Sequence, residues 1–163
     1  MSEESNDNND KIVQEKLEVV KHIHEVRKFL YKFIEELDER AKLHDQSKLE
    51  EPEASIFGEY TGELAKVKYG TPEYEALLEK VKPAIEHHYA NNRHHPEHWP
   101  EGVNDMTLVD LVEMLCDWKA ATVRNKNGNI RKSVEHNAKR FGMSEQMTKI
   151  FENTVREIFN GSD

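Results

Sequence analysis

The residues of this chain best suited to chemistry are His44 and Asp45, set in Leu43-His-Asp-Gln-Ser-Lys-Leu49. An imidazole nitrogen beside a carboxylate oxygen is a donor mix that suits Fe, Mn, Zn or Ni. Neighbouring side chains on a helix point roughly 100° apart, so an adjacent pair shares one ion only where a helix ends and both can wrap it. Other ligand types recur at workable places. His22 precedes the pair, five of the nine histidines lie between positions 87 and 98, and Asp117 follows. The ordered set His, His-Asp, His, Asp points to a metal centre more strongly than any one member. Each member alone has a plainer reading. An inward histidine is usually a hydrogen-bonded core residue, Asp45 could cap a turn or pair with Lys48 on the surface, and a histidine-rich loop can take up metal adventitiously.

Those residues must be held by helices. The chain is 34% charged and 36% hydrophobic with only 7 Gly and 5 Pro in 163 residues, and no strand alternation is visible. The fold class expected is all-α. The length fits one domain with a real core. Net charge is −9 and no Lys/Arg-rich run stands out, which disfavours broad nucleic-acid binding and anionic membranes. No apolar run approaches the roughly 18 residues of a membrane span. Cys116 is the only cysteine, which excludes an intrachain disulfide and a cysteine zinc site and fits a reducing, cytoplasmic setting. Residues 1–10 read as a disordered acidic tail ending in a helix cap at Asn9 or Asp10, and residues 11–163 as a single helical domain.

Apolar positions 12, 19, 20, 23, 26, 30, 33, 34 and 37 follow helical spacing. Read literally, they describe one helix from 11 to about 46. At about 1.5 Å of rise per residue, such a helix would set His22 and His44 roughly 33 Å apart. A shared ion therefore requires a reversal, expected at Phe33–Arg40, the most polar stretch. A short helix is expected over 52–67, then a break at Tyr69–Pro72. Thr71 caps the next helix, and Pro83 should kink or split it. Further helices are expected over 107–123, 130–140 and 144–159, separated by a loop over 91–105 and a turn at Asn125–Asn129.

Helical faces sort the candidates. His22 shares a face with Val19, Val26 and Phe29, whereas His24 neighbours Arg27, Lys28 and Tyr31. His88 continues the line of Val81 and Ile85, while His87 turns outward. Asp110, Glu113 and Asp117 share a face, and Asp117 sits between Leu115, Cys116 and Trp118, where a lone carboxylate would be costly unless paired or metal-bound.

At this point the chain resembles the HD-domain superfamily of metal-dependent phosphohydrolases, whose pattern of His, His-Asp, further His and a distant Asp sits on a helical bundle. His22, His44, Asp45, His88 and Asp117 would be the metal ligands. Leu43-His-Asp-Gln-Ser-Lys resembles its Leu-His-Asp-x-Gly-Lys, with Ser47 for Gly. His87-His-Tyr-Ala-Asn-Asn and Cys116-Asp-Trp-Lys-Ala-Ala resemble the His-His-Glu-x-x-Asp and Ala-Asp-x-x-Asp-Ala segments of its HD-GYP branch. The Gly-Tyr-Pro triplet is absent, so cyclic-dinucleotide hydrolysis is not implied. Most of residues 19–155 more closely resemble an uncharacterised family of bacteria and phages with His-Asp-x-Ser-Lys, Asn-x-His-His and Glu-Met-x-x-Asp-Trp motifs. These stand here at 44–48, 92–95 and 113–118.

The resemblance implies an HD-like bundle binding one or two divalent transition metals, with Mn, Fe, Co, Ni and Zn as candidates, and hydrolysis of a nucleotide or other small phosphate ester. An ion with open positions would acidify a water for attack on phosphorus. His94, His95 and Glu113 would serve a second metal or the chemistry, with Glu113 orienting a ligand histidine. Lys48, Arg93 and Lys119 would bind substrate phosphate. The partner expected is that small phosphorylated substrate, with no membrane; self-association is left open. Two alternatives stand beside this reading: a non-catalytic, metal-stabilised binding module, and a di-iron oxygenase on the same scaffold.

Overall fold

Capping residues set most helix boundaries. The computed structural model describes residues 3–124 and 127–159, with side chains from residue 8 onward. Among them lie α1 (Glu3–Leu43), α2 (Glu53–Leu64), α3 (Pro72–Asn91), α4 (Leu108–Val123), α5 (Ile130–Arg140) and α6 (Glu145–Ile158), with short 3-10 turns between some of them and no strand. The class is all-α. Thr71, Asn129 and Ser144 each accept a hydrogen bond from a first-turn amide of α3, α5 and α6. Thr107 and Asp110 cap α4 reciprocally, each side chain bonded to the other's backbone N–H. Part of the turn expected at 125–129 falls on positions 125 and 126, outside the described residues.

Three expectations are corrected. Helix α1 already runs from Glu3, upstream of the cap expected at Asn9 or Asp10; Met1 and Ser2 of the expected tail lie outside the described residues. Helix α1 also continues through Phe33–Arg40 without reversing. That stretch is polar, yet it has no Gly or Pro, and a Glu36–Arg40 pair at 3.2 Å supports it one turn apart. His22 is therefore carried on the exposed surface of α1, and the apolar positions expected to face a core are exposed with it, except half-buried Leu37. Of the kink or split expected at Pro83, the split does not occur: α3 is one helix. The carbonyl of Glu79, which loses its partner to the proline, belongs to an exposed residue, where water can satisfy it.

The chain divides into two units, Met1–Arg40 and Ala41–Asp163. The first is a single helix over its described residues. In the second, α2 packs on α3, and α4, α5 and α6 pack in sequence. The core forms around Trp118 of α4, which meets Phe141 in a parallel stack at 6.3 Å and Phe151 of α6 at 5.8 Å. Met114, Leu115, Ile130, Val134 and Val155 fill the space around it. This core holds α4 rigidly, with Glu113 and Asp117 on its other side. No helix among the described residues is long and apolar enough to cross a membrane.

Candidate metal centre

The site begins where α1 ends. Leu43 is the last helical residue, and Asp45 follows in the left-handed conformation, φ 57° and ψ 15°. Asp is one of the few residues that tolerates this conformation. The bend turns the side chains of His44 and Asp45 toward each other, with His44 Nε2 3.6 Å from Asp45 Oδ2. This is the helix-end geometry that adjacent ligands require.

Two other segments meet the pair. Helix α3 contributes His88 near its C-terminus. The following loop contributes His94 and His95, held in place by Arg93, which donates to buried Asp110 (3.2 and 3.3 Å) and lies over the Trp99 ring. Trp99 Nε1 in turn donates to the Arg93 carbonyl at 2.9 Å. Helix α4 contributes Glu113 and Asp117 one turn apart.

The donor atoms converge. Asp45 Oδ1 lies 3.5 Å from His88 Nε2 and 3.6 Å from His94 Nε2. His88 Nε2 and His95 Nε2 are 2.8 Å apart. His44 Nε2 lies 3.8 Å from Asp117 Oδ1. Donors held at about 2.0–2.2 Å by one ion lie about 3.0–3.5 Å from each other, so these separations are of the size a coordination shell has. Three groups have their donor atoms all within 4.8 Å of one another: Asp45 with His88, His94 and His95; His44 with Asp45 and Asp117; and His44 with His94 and Glu113.

Buried carboxylates hold the rings from behind. Glu113 Oε1 sits 2.9 Å from His44 Nδ1 and 3.1 Å from His94 Nδ1, the latter out of hydrogen-bonding alignment. Glu53, fully buried at the start of α2, bonds His88 Nδ1 and His87 Nδ1 with its two oxygens, both at 2.8 Å. Asn92 approaches His88 Nδ1 at 3.0 Å and donates to Ser47 at 2.7 Å. A carboxylate behind Nδ1 fixes the tautomer that leaves Nε2 free to bind, as in metal centres generally.

The residues present fit a metal. Asp45 Oδ1, His94 Nε2 and His94 Nδ1 are buried and have no hydrogen-bond partner. An unsatisfied buried polar atom costs about 1–3 kcal/mol, and a cation between Asp45 Oδ1 and His94 Nε2 would satisfy both. The electrostatics agree. The carboxylates of Asp117 and Glu113 hold His44 protonated up to about pH 10, against the opposing effect of burial. Burial alone would raise the Glu113 carboxyl, but the hydrogen bond from His44 and the adjacent His94 ring hold it far below its usual range. Asp45 is likewise lowered despite burial, by Lys48, whose ammonium lies 2.6 Å from Oδ2. Hydrogen bonding to His44 lowers Asp117. Burial pushes His88 down and His95 down to about 3, so both imidazoles stay neutral and able to bind. The site is a sink for positive charge in which His88 and His95 offer neutral nitrogen donors.

Of the expected residues, His44, Asp45, His88, His94, His95, Glu113, Asp117 and Lys48 come together. His22 belongs to none of the donor groups found among the described residues. Arg93 is engaged with Asp110 and Trp99, and Lys119 is half-buried on α4. Glu53 was not foreseen. At the first turn of a helix after Pro52 it reads as an ordinary dipole-favoured acid, and no sequence signal marks its burial. His87, expected to be an outward bystander, shares Glu53 with His88.

An all-α chain with a buried histidine–carboxylate cluster able to hold a metal ion is the class that fold and site define. Residues 11–160 match DUF5662, described as a family of unknown function, and the chain belongs to that family. No curated protein and no solved structure matches it.

Proposed function

We propose that this chain is a metal-dependent phosphohydrolase acting on a nucleotide or other small phosphate ester, with one or two divalent transition ions held by His44, Asp45, His88, His94, His95 and Asp117. The observation that carries the reading is the pair of orphaned buried donors, Asp45 Oδ1 and His94 Nε2, set 3.6 Å apart among neutral imidazole nitrogens. Imidazole-rich shells suit Mn, Fe, Co, Ni or Zn and disfavour Ca, which prefers oxygen. When bound, such an ion acts as a Lewis acid toward a phosphoryl oxygen and lowers the pKa of a coordinated water.

The chain's own residues supply the rest. Glu113 and Glu53 keep the ligand rings oriented. Lys48, part-exposed beside Asp45, reaches from solvent to the edge of the centre and places a cation where phosphoryl charge would develop. His95, neutral down to about pH 3, is better suited to ligation than to donating a proton to the leaving oxygen. The HD-type pattern supports this reading, with His94 and His95 standing where the sequence had suggested His22.

The test is a screen of nucleotides and sugar phosphates on chain loaded in turn with Mn, Co, Ni and Fe. The expected result is metal-dependent phosphate release, reduced about 10- to 100-fold or more in Asp117→Asn. No turnover by fully metallated protein would overturn the hydrolase reading and favour the binding module. Oxygen consumption by the iron form, without hydrolysis, would favour the oxygenase.

A further inference from the structure

The most anomalous surface among the described residues lies along α1, in the N-terminal unit. Along α1, Ile12, Val19, Val26 and Phe33 form one row of period seven, and Ile23, Leu30 and Leu37 form another beside it. All but half-buried Leu37 are 42–57% exposed. Val13, Val20, Phe29 and Ile34 flank the rows and are as exposed. Two adjacent apolar rows of period seven are the seam of a helix pair. A lone helix gains most of its stability by packing such a face, and exposed apolar patches of this extent mark interaction sites. The unit containing the stripe is one helix over its described residues, so nothing within that unit covers it.

We propose that the α1 stripe is a homodimerisation surface, covered by the same stripe of a second, antiparallel copy of this chain. Area supports a second copy. The exposed halves of these side chains offer on the order of 1,000 Å² per chain, and two copies reach the roughly 1,200–2,000 Å² that a stable interface buries. Charge supports the orientation. Residues 11–32 carry six basic and three acidic side chains, whereas residues 33–40 carry one basic and four acidic. With Ile12 opposite the partner's Leu37, an antiparallel pair sets residues 33–40 against the partner's 9–16, where two basic and two acidic side chains balance, whereas a parallel pair sets the four acids of 33–40 against the same four. Antiparallel alignment also keeps the two rows in register: Ile12 faces the partner's Leu37, Val19 the partner's Leu30, and Ile23 the partner's Val26.

Light scattering and sedimentation of the full chain at micromolar concentration test the proposal. The expected result is a dimer. Ile23→Glu with Leu30→Glu, in the middle of the stripe, should halve the mass, while His24→Glu on the opposite face should leave it dimeric. Metal content serves as the folding control, because the donor residues lie outside the stripe. A monomeric wild type, with the stripe covered by its own chain or another protein, overturns the proposal, as does a dimer that survives the double substitution. Cross-linking reads the orientation. In a Cys116→Ala background, Ile12→Cys mixed with Leu37→Cys should form the mixed disulfide, and Ile12→Cys alone should not. Self-cross-linking through position 12 would overturn the antiparallel arrangement.

Discussion

At the residue scale, the account turns on which nitrogen of each histidine is free. Glu113 stands behind Nδ1 of His44 and His94, and Glu53 behind Nδ1 of His88, so Nε2 of each faces Asp45. Glu113→Gln should therefore weaken metal binding by about 10- to 100-fold in a calorimetric titration, with little change in helicity. In the same titration His22→Ala should match wild type; a loss comparable to His94→Ala would return His22 to the centre. The acid–base behaviour gives a separate test. In metal-free protein the folded state raises His44 from 6.5 to about 10, so its stabilising contribution is complete below about pH 6.5 and lost as pH rises toward 10. Asp45, Glu53, Glu113 and Asp117 are lowered, so their contributions are present above about pH 4.5 and lost on acidification. A metal competes with the His44 proton, so affinity should climb steadily from about pH 6.5 to 9. A flat affinity over that range would show that His44 is no ligand. Most of these residues were legible in the sequence because ligand chemistry is written in residue type and order. Glu53 was not, because its role depends on α2 lying against α3, which no local pattern encodes.

At the scale of elements, the decisive feature is the end of α1. A helix that stopped elsewhere would place His44 and Asp45 on diverging faces. The left-handed residue at 45 makes the turn and supplies a ligand at once, and the two roles can be separated. Glycine adopts this conformation freely, whereas alanine pays about 1–2 kcal/mol for it. In metal-free protein, Asp45→Ala should therefore be less stable than Asp45→Gly by about that amount in urea unfolding, while both lose metal. Equal stabilities would mean that position 45 relaxes when its carboxylate is removed. Caps made most helices readable, since Thr71, Thr107, Asn129 and Ser144 announce their own boundaries. The reversal at Phe33–Arg40 misled because it was inferred from the need to bring His22 to the centre. The stretch itself holds only residues a helix accepts. With His94 and His95 delivered by the loop after α3, the centre has its donors without it.

At the scale of the molecule, a chain of net charge −9 concentrates carboxylates around one point and surrounds them with imidazoles. Such an arrangement gains from a cation, and a bound ion stabilises the native state by mass action. The all-α class followed from composition and periodicity. The division of the chain into two units did not, because an amphipathic stripe reads the same whether its own core or another chain covers it. The most direct test of the central claim is the metal content of the full chain, purified and dialysed against trace metals at about pH 8, beside Asp45→Gly treated identically. The account predicts one or two divalent transition ions per wild-type chain, a melting temperature that falls on chelation, and no bound ion in the variant. Wild-type protein that retains no ion, and whose melting temperature is indifferent both to chelator and to added Mn, Fe, Co, Ni or Zn, would contradict it.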